Sequence, residues 1–124
     1  MTLKEKIRGA LFGSALGDAL GLGTELMTKS EVMTYYPDGL RHFDQIIRDA
    51  HRSQWNRAQW TNDTDLLLLL IDSVMECNGI DHLDYTRRLK KWFDNDPTDV
   101  VSIYRWVITA DGWDADPIGS ASET

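Results

Sequence analysis

Trp60-Thr61-Asn62-Asp63-Thr64-Asp65 sets hydroxyl, amide and carboxylate oxygens on consecutive residues, directly before Leu66-Leu67-Leu68-Leu69-Leu70-Ile71. Hard oxygen donors of this kind suit Mg²⁺, Ca²⁺ or Mn²⁺ rather than zinc. The same residue types also cap helices for local reasons: Asp63 or Thr64 can accept from the first unpaired amides of a helix that the apolar run continues. On the residues alone, a metal site and a plain polar first turn both remain open. The run itself has little polar content until Asp72. It predicts a helix from Thr64 to about Glu76, buried on most sides and stopped by Asn78-Gly79.

Other residues able to do chemistry are scattered. Asp18 interrupts a small, apolar stretch, Ala15-Leu16-Gly17-Asp18-Ala19-Leu20-Gly21. A carboxylate there must be hydrogen-bonded or exposed, because an unpaired buried charge is prohibitive. Glu25 follows where the chain turns, and taken alone it reads as a surface glutamate. His51 lies in a polar stretch and reads as a solvated side chain. Arg87, Arg88, Lys90 and Lys91 read as the outer face of a helix rather than as an anion site.

The elements that must hold these residues are helical. The first runs from Leu3 to about Leu22, with Gly9, Gly13, Gly17 and Gly21 recurring every fourth residue. Residues four apart share one helix face, so the glycines form a groove bare of side chains. Each costs up to about 1 kcal/mol of helix stability relative to alanine. Tight packing of a second helix and close approach of a ligand both account for that cost. Thr28-x-x-Glu31 is a capping box opening a short helix over Ser30 to Tyr35, ended by Pro37-Asp38-Gly39. From Leu40 to Trp60 a weak helical stripe (Leu40, Phe43, Ile46, Ile47, Ala50) gives way to a loop leading to the oxygen cluster. A further helix starts near Asp84 as N-cap, with Tyr85, Leu89, Trp92 and Phe93 inward. Val100 to Thr109 spaces its apolar residues for another helix, Asp111-Gly112-Trp113 turns, and the tail from Asp114 is polar. The fold class is all-α.

Composition narrows the partners. The chain has 124 residues, 42% hydrophobic and 27% charged, with a formal net charge of −7. That balance argues against nucleic acid, whose phosphates need a basic face. Cys77 is the one cysteine, which rules out an intrachain disulfide and makes a reducing, cytoplasmic setting the simplest inference. Met1 to Lys6 lacks the apolar core of a signal peptide, and no run is long enough to span a bilayer.

Two stretches together resemble a known family. Arg8-Gly9-Ala10-Leu11-Phe12-Gly13-Ser14-Ala15-Leu16-Gly17-Asp18-Ala19-Leu20-Gly21 is similar to the N-terminal signature of the ADP-ribosylglycohydrolases, and Trp60-Thr61-Asn62-Asp63-Thr64-Asp65 is similar to their second signature, Trp-Thr-Asp-Asp-Thr. Asp84-Tyr85-x-x-Arg88-Leu89-x-x-Trp92 also resembles the helix that follows in many members. The resemblance implies a compact all-α domain with a binuclear Mg²⁺ or Mn²⁺ centre. The reaction implied is hydrolysis of the glycosidic bond joining ADP-ribose to a protein side chain or small acceptor. By position, Thr61, Asn62 and Asp63 would be metal ligands, and Glu25 and Asp63 would act in catalysis. Asn62 stands where the family has aspartate; an amide oxygen can still ligate Mg²⁺, but one negative charge is lost. The family's later Asp-x-Asp-Thr motif has no counterpart here, since Asp114-Ala115-Asp116-Pro117 carries proline in place of threonine and comes too early. Residues 1–124 would then form a single, incomplete N-terminal portion of the domain. Self-association or a partner chain is expected to cover apolar surface. The alternative is a catalytically inactive helical module for binding or oligomerisation.

Overall fold

Thr2 opens the chain's first helix with a capping box. Its hydroxyl accepts from the Glu5 amide at 3.2 Å, and its own amide donates to Glu5 Oε2 at 2.7 Å. From there a computed structural model describes residues 1–95. Helix α1 spans Leu3–Gly21, α2 Lys29–Tyr35, α3 Asn62–Cys77 and α4 His82–Asp94. Single 3-10 turns lie at Leu22–Thr24, Phe43–Gln45 and Arg52–Gln54. No strand occurs among the described residues, so they are all-helical as expected. None of their helices is long and apolar enough to cross a membrane. The helix expected over Val100 to Thr109, the turn at Asp111 and the tail from Asp114 lie outside the described residues.

The chain divides into two units, Met1–Asp65 and one beginning at Leu66, with the boundary inside α3. In the first unit Ala19, Leu22, Tyr36, Ile46 and Trp55 are buried. Tyr36 ties this core to the corner after α1: its hydroxyl donates to the Gly23 carbonyl at 2.9 Å and accepts from the Ile47 amide at 3.2 Å. Gly23 is itself buried beneath Leu40 and Ile46. A Cβ there would overlap the Leu40 Cδ2 methyl and stand 3.1 Å from Ile46 Cγ1. Gly23→Ala is therefore expected to cost about 1–3 kcal/mol by overpacking, read as a lower urea midpoint at unchanged slope.

The capping box at Thr28 and Glu31 forms as read from the sequence, with the Glu31 amide 3.2 Å from Thr28 Oγ1. The weak stripe from Leu40 to Ala50 does not become an α-helix. Side chains bond the backbone locally instead: Gln45 Oε1 accepts from the amides of Arg41 at 2.8 Å and His42 at 2.9 Å, and Asp49 Oδ1 accepts from the Arg52 amide at 2.8 Å. Such local bonds compete with regular structure. Arginines satisfy carbonyls along the same stretch. Arg48 donates to Trp55 O at 2.9 Å and Arg57 to Asp44 O at 3.0 Å. The long irregular segment thus has partners for backbone groups that would otherwise be lost.

In the second unit Asn78 takes a left-handed φ of 55°, and the Gly79 amide returns to Val74 O at 3.0 Å, ending α3 at the expected stop. The N-cap of α4 is Asp81, not Asp84: Asp81 Oδ1 accepts from the Asp84 amide at 2.9 Å. Asp84 instead bonds Arg88 Nε at 2.7 Å, one turn on, and Arg88 also meets Glu76 at 2.9 Å. The Leu66–Ile71 run is not buried on most sides. None of its six residues is buried, and Leu68 and Leu70 are exposed. The described part of this unit offers one further helix, α4, to pack against it.

Candidate active site

Asp18 builds the site. It sits one turn before the end of α1 and reaches the start of α3, 43 to 46 residues later in the chain. Its Oδ2 accepts from the Thr61 amide at 2.9 Å, the Thr64 amide at 3.1 Å and the Thr64 hydroxyl at 2.6 Å, while Oδ1 accepts from the Thr61 hydroxyl at 2.6 Å. Orphan amides at the first turn of a helix need acceptors and favour negative charge. Here a carboxylate from another helix provides both. The helix accordingly begins at Asn62, two residues before the start expected from the apolar run. Burial pushes the Asp18 carboxyl up, but the Thr61 and Thr64 hydroxyls and amides outweigh it and hold the pKa below its usual value. The sequence requirement that Asp18 be bonded or exposed is met by bonding.

Beside this junction lies a cleft of about 420 Å³, lined by Ser14, Gly17, Asp18, Gly21, Leu22, Glu25, Thr61 and Asp63. No described atom lies within 4 Å of a Cβ built on Gly9, Gly13, Gly17 or Gly21. Among the described residues the glycine face therefore packs no second helix, and its last two glycines form part of the cleft wall. Glu25, Thr61 and Asp63 are brought together here. Asn62 is not: it is 7% exposed and absent from the cleft lining. Asp65 accepts from the Trp60 indole at 3.0 Å and is likewise outside the lining. The cleft concentrates negative charge. Burial raises the Asp63 pKa first, and the nearby Asp18 and Glu25 carboxylates raise it further.

Glu25 is held by His51, which the sequence read as solvated, and by Arg52, to which it assigned no role. His51 is half-buried rather than freely solvated, with Nε2 2.7 Å from Glu25 Oε2. Arg52 is 4% exposed. Its Nε donates to the Leu22 carbonyl at 3.0 Å and the Gly23 carbonyl at 3.2 Å, its Nη2 donates to the Glu25 carbonyl, and its Nη1 pairs with Asp49 at 2.5 Å. Glu25 is followed by Leu26 at φ 61°, a left-handed value unfavourable for a residue with a Cβ. Strain of that kind persists where surrounding bonds over-determine the backbone. The available signal was a His-Arg pair three residues before Trp55 in an otherwise polar stretch.

The donors around the cleft are oxygens, which fits a hard divalent cation. Among the described residues no three His, Cys, Asp or Glu side chains converge as a closed cage. Mg²⁺ commonly keeps several waters and binds through one or two carboxylates, so an open, acidic donor set is the kind it takes. A larger groove of about 620 Å³ lies in the second unit, lined by Leu69, Asp84, Arg87, Arg88, Lys91, Trp92 and Asn95. Its Arg88 is already paired with Asp84 and Glu76, and neither signature segment reaches it.

The described residues are all helical, and in them the glycine-stepped helix and the segment carrying Thr61 and Asp63, the two signature stretches, meet at one acidic cleft. The family model described as ADP-ribosylglycohydrolase matches residues 1–123, and the chain belongs to that family. It is 31% identical over 102 residues to the ADP-ribosyl-[dinitrogen reductase] glycohydrolase of Rhodospirillum rubrum, covering 80% of this chain and 32% of that protein. It is 29% identical over 89 residues to the ADP-ribosylarginine hydrolase Tri1 of Serratia proteamaculans, covering 72% and 22%. It is also 37% identical over 75 residues to the uncharacterized protein YegU of Escherichia coli, covering 60% and 22%. The chain thus spans about a third or less of these relatives. No solved structure matches it.

Proposed function

We propose that the chain contributes to a divalent-metal-dependent hydrolase that cleaves the glycosidic bond between ADP-ribose and a protein side chain or small acceptor. The observation that carries this reading is the convergence of Glu25, Thr61 and Asp63 on one acidic cleft at an Asp18-capped helix start. The names of the Rhodospirillum and Serratia relatives support the substrate class.

Thr61 and Asp63, with Glu25 nearby, would hold Mg²⁺ or Mn²⁺; Asn62 would join them only after turning from its buried position. When bound, the metal would orient ribose hydroxyls and water and offset negative charge in the cleft. The chain's own residues do the rest. Glu25 Oε2 is engaged by His51, so its second oxygen is the acceptor for a proton from water. The water oxygen bonds to the anomeric carbon, and the glycosidic bond breaks with its electron pair leaving on the acceptor atom. The bare face at Gly17 and Gly21 lets the ribose come close to backbone.

The test is release of ADP-ribose from an ADP-ribosylated arginine peptide, with and without Mg²⁺. Turnover is expected to fall at least about tenfold on chelation and to return with Mg²⁺. Turnover indifferent to chelator would remove the metal from this reading. Binding of ADP-ribose without any turnover would favour the inactive binding module instead.

A further inference from the structure

Glu25 carries three side-chain torsions and is 37% exposed, a setting in which a glutamate ordinarily spreads over several staggered rotamers. Here its carboxylate is held from one side. His51 Nε2 lies 2.7 Å from Oε2, a short separation of the charge-assisted kind. The imidazole is itself directed: it meets Trp55 edge-on, with ring centroids 5.2 Å apart and planes at 78°, and Trp55 is 1% exposed. The adjacent Arg52 grips the Leu22, Gly23 and Glu25 carbonyls. His51, the N-cap of the 3-10 turn Arg52–Gln54, and Arg52, its first residue, therefore seize the same glutamate, the first at the carboxylate and the second at the backbone.

We propose that His51 is a positioning residue for Glu25. Its Nε2–H donates to Oε2, selects one rotamer of the glutamate, and leaves Oε1 as the open acceptor of a carboxylate that lines the cleft. Trp55 fixes the ring plane from which that bond is made. The effect on catalysis rests on the hydrolase reading above, whereas the effect on Glu25 itself does not.

Two measurements separate those dependencies. In the isotopically labelled full chain, side-chain couplings and the carboxylate carbon shift of Glu25 report its rotamer directly, with Glu25→Gln used for assignment. A single rotamer is expected in the native chain, rotamer averaging in His51→Ala, and recovery in His51→Gln, whose amide N–H can still donate to Oε2. An unchanged Glu25 signal in His51→Ala overturns the proposal, whatever the activity. In the hydrolase assay, His51→Ala is expected to lower kcat about ten- to hundredfold, with KM within about twofold, and His51→Gln to recover most of it. Equal kcat in the native and alanine chains overturns positioning as a catalytic effect. If the rotamer changes as expected while the native chain hydrolyses nothing, the positioning stands and the hydrolase reading falls.

Discussion

Replacing Asp18 with alanine is expected to lower the unfolding free energy by about 2–3 kcal/mol. The carboxylate accepts from two amides and two hydroxyls at the start of α3. Charge-assisted bonds of this kind are worth roughly twice neutral ones, but Asp18 is half-buried and water would replace part of what is lost. The estimate therefore sits nearer a strong helix cap than a deleted buried ion. Asp18→Asn is expected to recover only part, since an amide offers one acceptor oxygen and turns two donors toward the same N–H groups. The check is urea unfolding of the three chains side by side. An Asp18→Ala midpoint equal to the native one would mean that Thr61 alone caps the helix.

The pH dependence follows with a definite sign. The folded-state pKa of Asp18 is depressed. Its contribution is thus complete above the unfolded carboxylate range near pH 4 and is lost as pH falls through the lower folded value. The acid limb of the stability curve should flatten in Asp18→Ala.

Arg52 carries the second large effect. Removing a buried guanidinium bonded through Nε, Nη1 and Nη2 leaves the Leu22, Gly23 and Glu25 carbonyls and the Asp49 carboxylate without their partner. Arg52→Ala is expected to cost about 3 kcal/mol. Arg52→Lys should rescue little, because a single ammonium cannot span acceptors arranged for a planar fork. Amide exchange over residues 22–27 is the more telling measurement. Protection should collapse there first, and a uniform loss along the chain would show that Arg52 merely fills space.

Much of the fold was legible because its signals are local. Thr28 and Glu31 announce α2, Asn78-Gly79 stops α3, and the four-residue glycine spacing predicts α1 nearly to its end. At α4 two aspartates three residues apart both suit an N-cap, and the competition is settled by Arg88, which holds Asp84 one turn into the helix. The segment from Leu40 to Trp60 resisted because its order comes from side chains bonding backbone, a pattern without periodicity. The candidate site was legible in residue type more than in arrangement. Thr61, Asp63 and Glu25 were marked by resemblance, and they do share a cleft. The partners that hold the site were not legible: Asp18 acts across 43 residues, Arg52 across 30 and His51 across 26. Pairings at that separation leave no trace in local composition. The apolar run at Leu66 was rightly read as helix, but its burial depends on what packs around it.

The capping of α3 by a residue on α1 also bears on the order in which the chain folds. A helix with its own cap can form its first turn early and alone. Here the acceptor arrives only once a loop of 43 residues has closed, an entropic cost met before any bond rewards it. The turn that holds Thr61 and Asp63 is therefore expected to form late, so that Asp18→Ala speeds unfolding more than it slows folding in a denaturant-jump measurement.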